Sequence, residues 1–330
     1  MKENISLVIP LKGSFKELDQ LLESICSWIT LPKEILIIES SNQPHILNQK
    51  FQDFCKEQSI SIVHTFKPNL FPGHARNIGI SNAVYENIAF LDVLTIPSKD
   101  WLMSSFNQLS DKKFEGVWGL TSYMASCPKE EIIRASTYGI KPIRTLPGSI
   151  FKRNTFKKLG LFIDSVRAGE DGDIFSRIDL HQINMQDPDS TIKYTGLHGI
   201  SYCDVVKKWY RNYLYSAQLP HFRPHKDLYF YVLSAFLIIA AFNWNQIFSY
   251  DPSIGGWNTE SALYLPNVTK ISLLFLACAY TFLRGIYMPL NKGVQYSYLF
   301  PLNFIKIVIF SACLDIAKTL AFLKARFFIN

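Results

Sequence analysis

Short apolar runs alternate with polar stretches from residue 1 to about residue 226, the pattern of a globular α/β domain, and long apolar stretches take over from residue 227 onward. The first run, Ile5-Ser-Leu-Val-Ile-Pro10, reads as a buried strand ending at proline. Phe15, Leu18, Leu21, Leu22 and Ile25 fall at helical spacing and predict a helix over residues 15–28. Residues 35–38 predict a second strand with Glu39 at its C-terminal end, then a polar turn at 40–44 and a helix at 45–56. Residues 60–63 read as a third strand, 75–83 as a short helix behind Pro72 and Gly73, and 88–91 as a fourth strand ending in Asp92. Strands alternating with helices imply βαβ units and a largely parallel sheet. Ligands of such sheets sit at the C-terminal strand edges, where Glu39 and Asp92 both stand. The second half is less regular, with strands expected at 117–123 and 149–151 and helices at 154–159 and 171–180.

Three apolar stretches follow, at 228–248, 271–290 and 300–323. A membrane-spanning helix needs about 20 mostly apolar residues. The first stretch qualifies, and the second qualifies with Arg284 snorkelling toward an interface. The third carries Lys306, Asp315 and Lys318, each costly at a bilayer centre, and reads as a partly interfacial helix. The competing reading, buried helices of a soluble domain, is weaker because so few charges lie between the stretches. The boundary between the two parts is expected near Pro224.

Charge sharpens this picture. Lys and Arg number 34 against 27 Asp and Glu, a net charge of +7. The chain has no arginine-rich helix, zinc-ligand spacing or RNA-binding motif, so nucleic acid is not the expected partner. Much of the basic charge flanks the apolar stretches, at Lys207, Lys208, Arg211, Arg223, Lys226 and Lys324 among others, as befits contact with anionic lipid headgroups. The loop at 249–268 holds Asp251 and Glu260 and no lysine or arginine, which places the basic side, and the N-terminal domain with it, in the cytoplasm. The apolar run of the opening residues is too short for a signal peptide and reads as a strand. Six scattered cysteines without a CxxC pair indicate neither a zinc site nor a disulfide framework.

Four segments, taken in order, resemble the family 2 glycosyltransferases, inverting enzymes of GT-A fold. They are the strand closing on Pro10, the segment Ile37-Ile-Glu-Ser40, the motif Gly73-His-Ala-Arg-Asn-Ile-Gly79 with the stretch 90–97 behind it, and the series 148–153, 159–162 and Gly169-Glu-Asp171. The resemblance covers roughly residues 5–200. It implies a Rossmann-like mixed sheet flanked by helices over 1–225, membrane-anchoring helices over 226–330, and transfer of a sugar from a nucleotide-sugar donor to a lipid-linked or glycan acceptor. Its expected location is the cell membrane.

The reaction assigns roles. Pro10 opens the nucleotide pocket. The Glu39 carboxylate stands where it can accept a hydrogen bond from a base or ribose, with a solvated turn as the alternative. Arg76 offers a planar donor fork to the base or diphosphate. Asp171 is the candidate general base, with Glu170 orienting it or receiving the acceptor. The same acids also complement a helix N-terminus.

The metal site is where the chain departs from the family. Most members carry Asp-x-Asp after the fourth strand, whereas here Asp92 is followed by Val93 and Leu94, and leucine cannot bind a hard cation such as Mn2+ or Mg2+. His198 sits where relatives place a histidine near the diphosphate, which makes Asp92 and His198 the candidate ligands. Weak metal use, replacement of its charge by basic groups, and a catalytically degenerate scaffold all remain open; the survival of Arg76, Glu170 and Asp171 favours an active enzyme. A nucleotidyltransferase is disfavoured because residues 11–14 make a poor phosphate loop. The basic aromatic segment 205–215 is expected either to lie at the membrane interface or to pack on the catalytic domain.

Overall fold

The computed structural model describes residues 2–220 and 226–328, so the boundary expected near Pro224 lies outside the described residues. β1 (Lys2–Leu11), β2 (Leu31–Glu39), β3 (Ser61–Phe66) and β4 (Asn87–Phe90) alternate with α1 (Phe15–Ile25), α2 (Gln49–Glu57) and α3 (Pro72–Asn82). These strands pair in parallel, as their spacing predicts. β1, β2 and β4 are apolar on both faces because both faces are covered, whereas the edge strand β3 is only partly buried. Ile5, Leu7 and Ile9 of β1 face one core with Leu18, Leu22 and Trp101, while Val8 faces another with Phe90 and Phe162.

The chain continues through β5 (Thr95–Pro97), α4 (Trp101–Leu109), β6 (Gly116–Tyr123), α5 (Pro128–Ser136), β7 (Ile143–Lys152), α6 (Thr155–Leu159), α7 (Glu170–Leu180), β8 (Met185–Gln186) and β9 (Ile192–Tyr194). The nine-stranded sheet runs in the order β3-β2-β1-β4-β7-β6-β9-β5, with β8 beside β6. Antiparallel β7 against β4 turns the parallel half into a mixed sheet. Sequence spacing did not suggest α4 or α5, and β7 begins six residues before the expected start at Ser149 because the strand runs through Pro147 and Gly148. The irregularity sits in a register shift between Val117 and Gly119. Gly119 donates its N–H to Ser149 Oγ, and a Cβ there would meet the Pro147 carbonyl. Such a bulge lets proline and glycine sit inside a strand.

α8 (Tyr202–Ser216) follows, capped by the Ser201 hydroxyl accepting from Asp204 N–H at 3.1 Å. Then come α9 (Lys226–Phe248), a hairpin of β10 (Tyr250–Asp251) and β11 (Gly256–Trp257), α10 (Val268–Phe282), a π-helical turn at Leu283–Tyr287, α11 (Met288–Asn291), α12 (Tyr296–Leu299) and α13 (Asn303–Phe327). α9 and α10 pack on each other, joined by Thr269 Oγ1 donating to the Ala241 carbonyl at 3.2 Å. Their other faces are bare: Phe236, Phe242, Leu274 and Phe275 are all exposed. The continuous helix Val268–Asn291 is long and apolar enough to cross a membrane. At 1.5 Å per residue its 24 residues reach about 36 Å, against about 30 Å of hydrocarbon.

Two expectations for this region change. Arg284 does not snorkel outward. It is 7% exposed and donates to Asp315 Oδ1 at 2.7 Å, while Tyr280 Oη donates to Oδ2 of the same carboxylate at 2.9 Å. A buried charge without a partner costs several kcal/mol, so pairing across two helices replaces a reach for water. Asp315 and Lys318 of the third stretch likewise sit on the protein side of α13, where Ile307, Phe310 and Leu314 pack with Ile132 and Val205, while Lys306 is exposed. Its opposite face presents Ile305, Ile309, Ile316, Leu320 and Leu323 to the exterior. The segment 205–215 lies in α8, which packs against α13 and buries Val205 and Tyr213.

Candidate active site

Arg76 stands on α3, one turn behind Pro72 at the helix start. Gly79, three residues on, sits so close to β1 that a Cβ would meet the Val8 side chain, and Gly73 sits equally close to the Ile163 carbonyl. Asn77 Nδ2 donates to the Phe162 carbonyl at 2.8 Å, and Phe162 N–H donates back to Asn77 Oδ1 at 2.9 Å. The glycines therefore let α3 approach, and Asn77 fixes the segment leading toward α7.

This seating delivers the Arg76 guanidinium, 4% exposed, into three carboxylates. Its NH1 donates to Glu170 Oε1 at 2.8 Å and Asp171 Oδ1 at 3.0 Å, and its NH2 to Asp92 Oδ1 at 3.1 Å. Burial works against the arginine charge, but Asp171, Asp92 and Glu170 overcome it and hold the group above its ordinary value. Gly169, at φ +99°, turns the chain into α7, and a Cβ there would press on Ser216 and Leu219 at the end of α8.

Asp171 behaves differently from its neighbour. Its side chain keeps 39% of its surface open toward the cavity, against 7% for Glu170. Burial pushes the Asp171 carboxyl up to about 7, with Arg76 opposing and Glu170 and Asp92 adding to the rise. The carboxylate thus changes charge near neutral pH.

The cavity in front of these groups has a volume of about 520 Å³. Pro10, Lys12 and Ser40 line its strand-edge side, and Asp92, Arg76 and Asp171 its floor. Tyr123, Tyr138 and Tyr194 wall the far side; Tyr123 stacks on Tyr138 at 3.7 Å, and Lys208 of α8 donates to Tyr194 Oη at 3.4 Å. Burial, with Asp92 nearby, pushes Tyr194 up to about 12.

Of the candidate residues, the structure gathers Pro10, Arg76, Asp92, Glu170 and Asp171 at this cavity and leaves Glu39 and His198 outside its lining. The Glu39 carboxylate is fully buried behind the strand edge, where it accepts the His45 N–H at 3.0 Å and pairs with His64 Nε2 at 2.8 Å. His198 stands on a neighbouring groove, its Nδ1 against Ser126 and Glu130. Sequence reading gave no site role to Asn77 or the three tyrosines, and met Lys208 only within the basic aromatic segment 205–215. Asn77 had a signal in its place inside the Ala-Arg-Asn motif.

Of the two candidate metal ligands, only Asp92 lines the cavity. Among the described residues no group of three or more His, Cys, Asp or Glu is placed to hold a metal ion. The Asp92 carboxylate is engaged by Arg76, and the Leu94 carbonyl accepts both the N–H and the hydroxyl of Thr195.

The model of the family described as glycosyl transferase family 2 matches residues 6–168. Uncharacterized glycosyltransferases of Rickettsia felis and Rickettsia conorii are each 27% identical over 177 residues, which make up 51% of this chain and 29% and 28% of theirs. The chain thus spans less than a third of the length of the curated relatives it matches. A mannosyltransferase from Pyrobaculum calidifontis, solved in complex with GDP-Man and Mn2+, superposes with a TM-score of 0.52 at 13% identity, covering 99% of this chain and 88% of that one. The shared architecture is the GT-A fold, a mixed sheet flanked by helices.

Replacing Arg76 by glutamine leaves Glu170 buried without its cation. Breaking a buried pair from one side costs about 3–5 kcal/mol. We expect a loss of that order in chemical denaturation of Arg76→Gln, and a smaller one for Arg76→Lys, which keeps the charge but not the fork.

Proposed function

We propose, on the premise that residues 6–168 form a family 2 glycosyltransferase domain, that the protein transfers a sugar with inversion from a nucleotide-sugar donor to a hydroxyl of a lipid-linked or polysaccharide acceptor. The catalytic domain spans 1–225 and the anchoring helices 226–330. One observation carries the reading: Asp171 is the carboxylate that is both open to the cavity and held near 7. A base works best when its pKa lies close to the operating pH.

The chain's own groups supply the chemistry. The acceptor oxygen forms a bond to the anomeric carbon as the bond from that carbon to the diphosphate breaks. The hydroxyl proton passes to the Asp171 carboxylate, and the nucleoside diphosphate departs with the bonding pair. Glu170, buried behind, keeps Arg76 in place rather than taking the proton. Lys12 brings positive charge to the cavity that receives the diphosphate, while Arg76 gives its donors to Glu170, Asp171 and Asp92. The readings of Glu39 as a base or ribose contact and of His198 as a metal ligand lose support, because both lie outside the cavity lining. A second reading, donor binding without turnover, draws on Leu94 and on the prior engagement of Asp92; a wild-type protein that binds donors and never transfers would establish it.

Membrane anchoring rests on the bare apolar faces of α9, α10 and α13. The chain after α10 returns to the catalytic domain, where Ile140 N–H donates to the Lys292 carbonyl at 2.9 Å. With Arg284 committed to Asp315, the charges that support a cytoplasmic catalytic domain are Lys207, Lys208, Arg223, Lys226 and Lys292.

Three measurements test this reading. Asp171→Asn keeps the shape and removes the proton acceptor, so transfer should fall about 10²- to 10⁴-fold with donor binding largely intact. In the wild type kcat should fall as pH drops through about 7, because the folded carboxyl gains its proton there and a protonated base is idle; a folded Asp171→Asn variant with wild-type turnover refutes the mechanism. Chelator treatment should leave most of the transfer in place, whereas complete loss restored by Mn2+ or Mg2+ would put a cation on Asp92. In intact cells, with native cysteines replaced, an impermeant thiol reagent should label Asn258→Cys and not Asn107→Cys; the reverse pattern overturns the orientation.

A further inference from the structure

Among the described residues, three cationic side chains that line the main cavity have no carboxylate partner: Lys12, Arg167 and Lys208. Arg76 is enclosed by its acids, and Arg144 donates to both oxygens of Asp187 at 2.7 Å. Lys12 follows β1 at the strand edge, where the mechanism above puts the diphosphate. Lys208 reaches Tyr194 on β9. β1 and β9 stand four strand positions apart in the sheet, about 19 Å in a flat ladder and more than a diphosphate spans. Arg167 and Lys208 are therefore left over once the donor is seated at the strand edge.

α8 gathers them at one wall. Lys208, Asn212 and Ser216 recur every four residues and share a helix face. Lys208 and Asn212 line the cavity, and Ser216 meets the loop at Gly169, two residues after Arg167. Arg211 stands beside them: its Nε is buried without a hydrogen-bond partner, and its NH2 donates to Asn212 Oδ1 at 3.4 Å. That contact uses the Asn212 oxygen and leaves the two amide N–H donors to the cavity. Burial and the charge of Arg167 hold Arg211 below its ordinary value. Like charges gathered without an acid repel one another, and an anion entering among them reverses the sign of each contact. Donors from a loop and from successive turns of a helix suit a tetrahedral group better than a planar carboxylate.

We propose that Arg167, Lys208 and Asn212 form a subsite for a phosphate group of the acceptor, beside the hydroxyl that Asp171 deprotonates. The acceptor is then a phosphate ester and not a neutral glycan; this assignment rests on the nucleotide-sugar reading above. The full chain in detergent, saturated with whichever of UDP and GDP it binds so that the strand edge is filled, is titrated with glucose 1-phosphate and with farnesyl phosphate. Methyl glucoside and farnesol are the matched neutral controls. At least one phosphate should bind more tightly than its control. Arg167→Gln and Lys208→Gln should each weaken that binding about ten- to hundredfold, the range of a hydrogen bond to a charged group, and leave the nucleotide affinity unchanged. A preference for farnesyl phosphate puts the phosphate on a lipid carrier, and a preference for glucose 1-phosphate puts it within a glycan; either result supports the subsite. Binding of neither phosphate, controls that bind as well as the phosphates, or a parallel loss of nucleotide affinity in the two variants each overturn it. Should the wild type bind no nucleotide, the donor reading fails, and the same titrations in a Lys12→Gln background decide the subsite on their own: phosphate binding that depends on Arg167 and Lys208 upholds it, and its absence overturns it.

Discussion

A guanidinium enclosed by three carboxylates from two other parts of the chain is the interaction on which the rest of the site depends. Arg76 comes from α3, Asp92 from the end of β4, and Glu170 and Asp171 from the start of α7. Stripping an arginine of water is costly, and the acids that compensate are brought together only when the parallel half of the sheet and the later helices are both in place. With every group ionised the cluster would hold three negative charges and one positive. That excess adds to burial in moving Asp171 to about 7, while the more deeply buried Glu170 stays against the arginine. One arrangement thus locks the fold of the site and leaves one carboxylate chemically poised.

The scaffold under that cluster was largely legible in the sequence, because its rules are local. Apolar runs covered on both faces mark β1, β2 and β4, and the motif around Arg76 encodes two close approaches through Gly73 and Gly79. The cavity residues Pro10, Arg76, Asp92, Glu170 and Asp171 stand at strand ends or a helix start, where a one-dimensional reading can find them. The side-chain direction of Glu39 was not legible. A residue at a strand terminus can turn to the cavity or behind it, and the His45 N–H and His64 decide the matter from elsewhere in the chain. β7 was hidden for another reason: Pro147 and Gly148 read as a break, and only a glycine on the facing strand lets the ladder absorb them.

Charges inside apolar segments were the other misleading signal. Asp315 and Lys318 counted against α13 as a membrane element, and Arg284 against α10 and its continuation. In the folded chain Arg284 and Lys318 share the Asp315 carboxylate, and Lys318 also lies over the Trp209 ring at 4.9 Å. Hydropathy sums weigh each charge as though it were alone, whereas a pair buried between helices is a different object energetically. What the sequence does carry is the spacing of Ile305, Ile309, Ile316, Leu320 and Leu323, one bare face of a helix whose other face is already occupied.

These two halves meet on a single helix. α8 presents Lys208 and Asn212 to the cavity, while Val205 and Trp209 on the same helix face α13. The end of α8 also presses against Gly169, the residue that turns the chain into Glu170 and Asp171. A displacement of α13 therefore reaches the carboxylates through packed side chains and a glycine with no room for a Cβ, not through a flexible linker. The bare face of α13 and the poised carboxylate of α7 are fixed relative to one another by that packing.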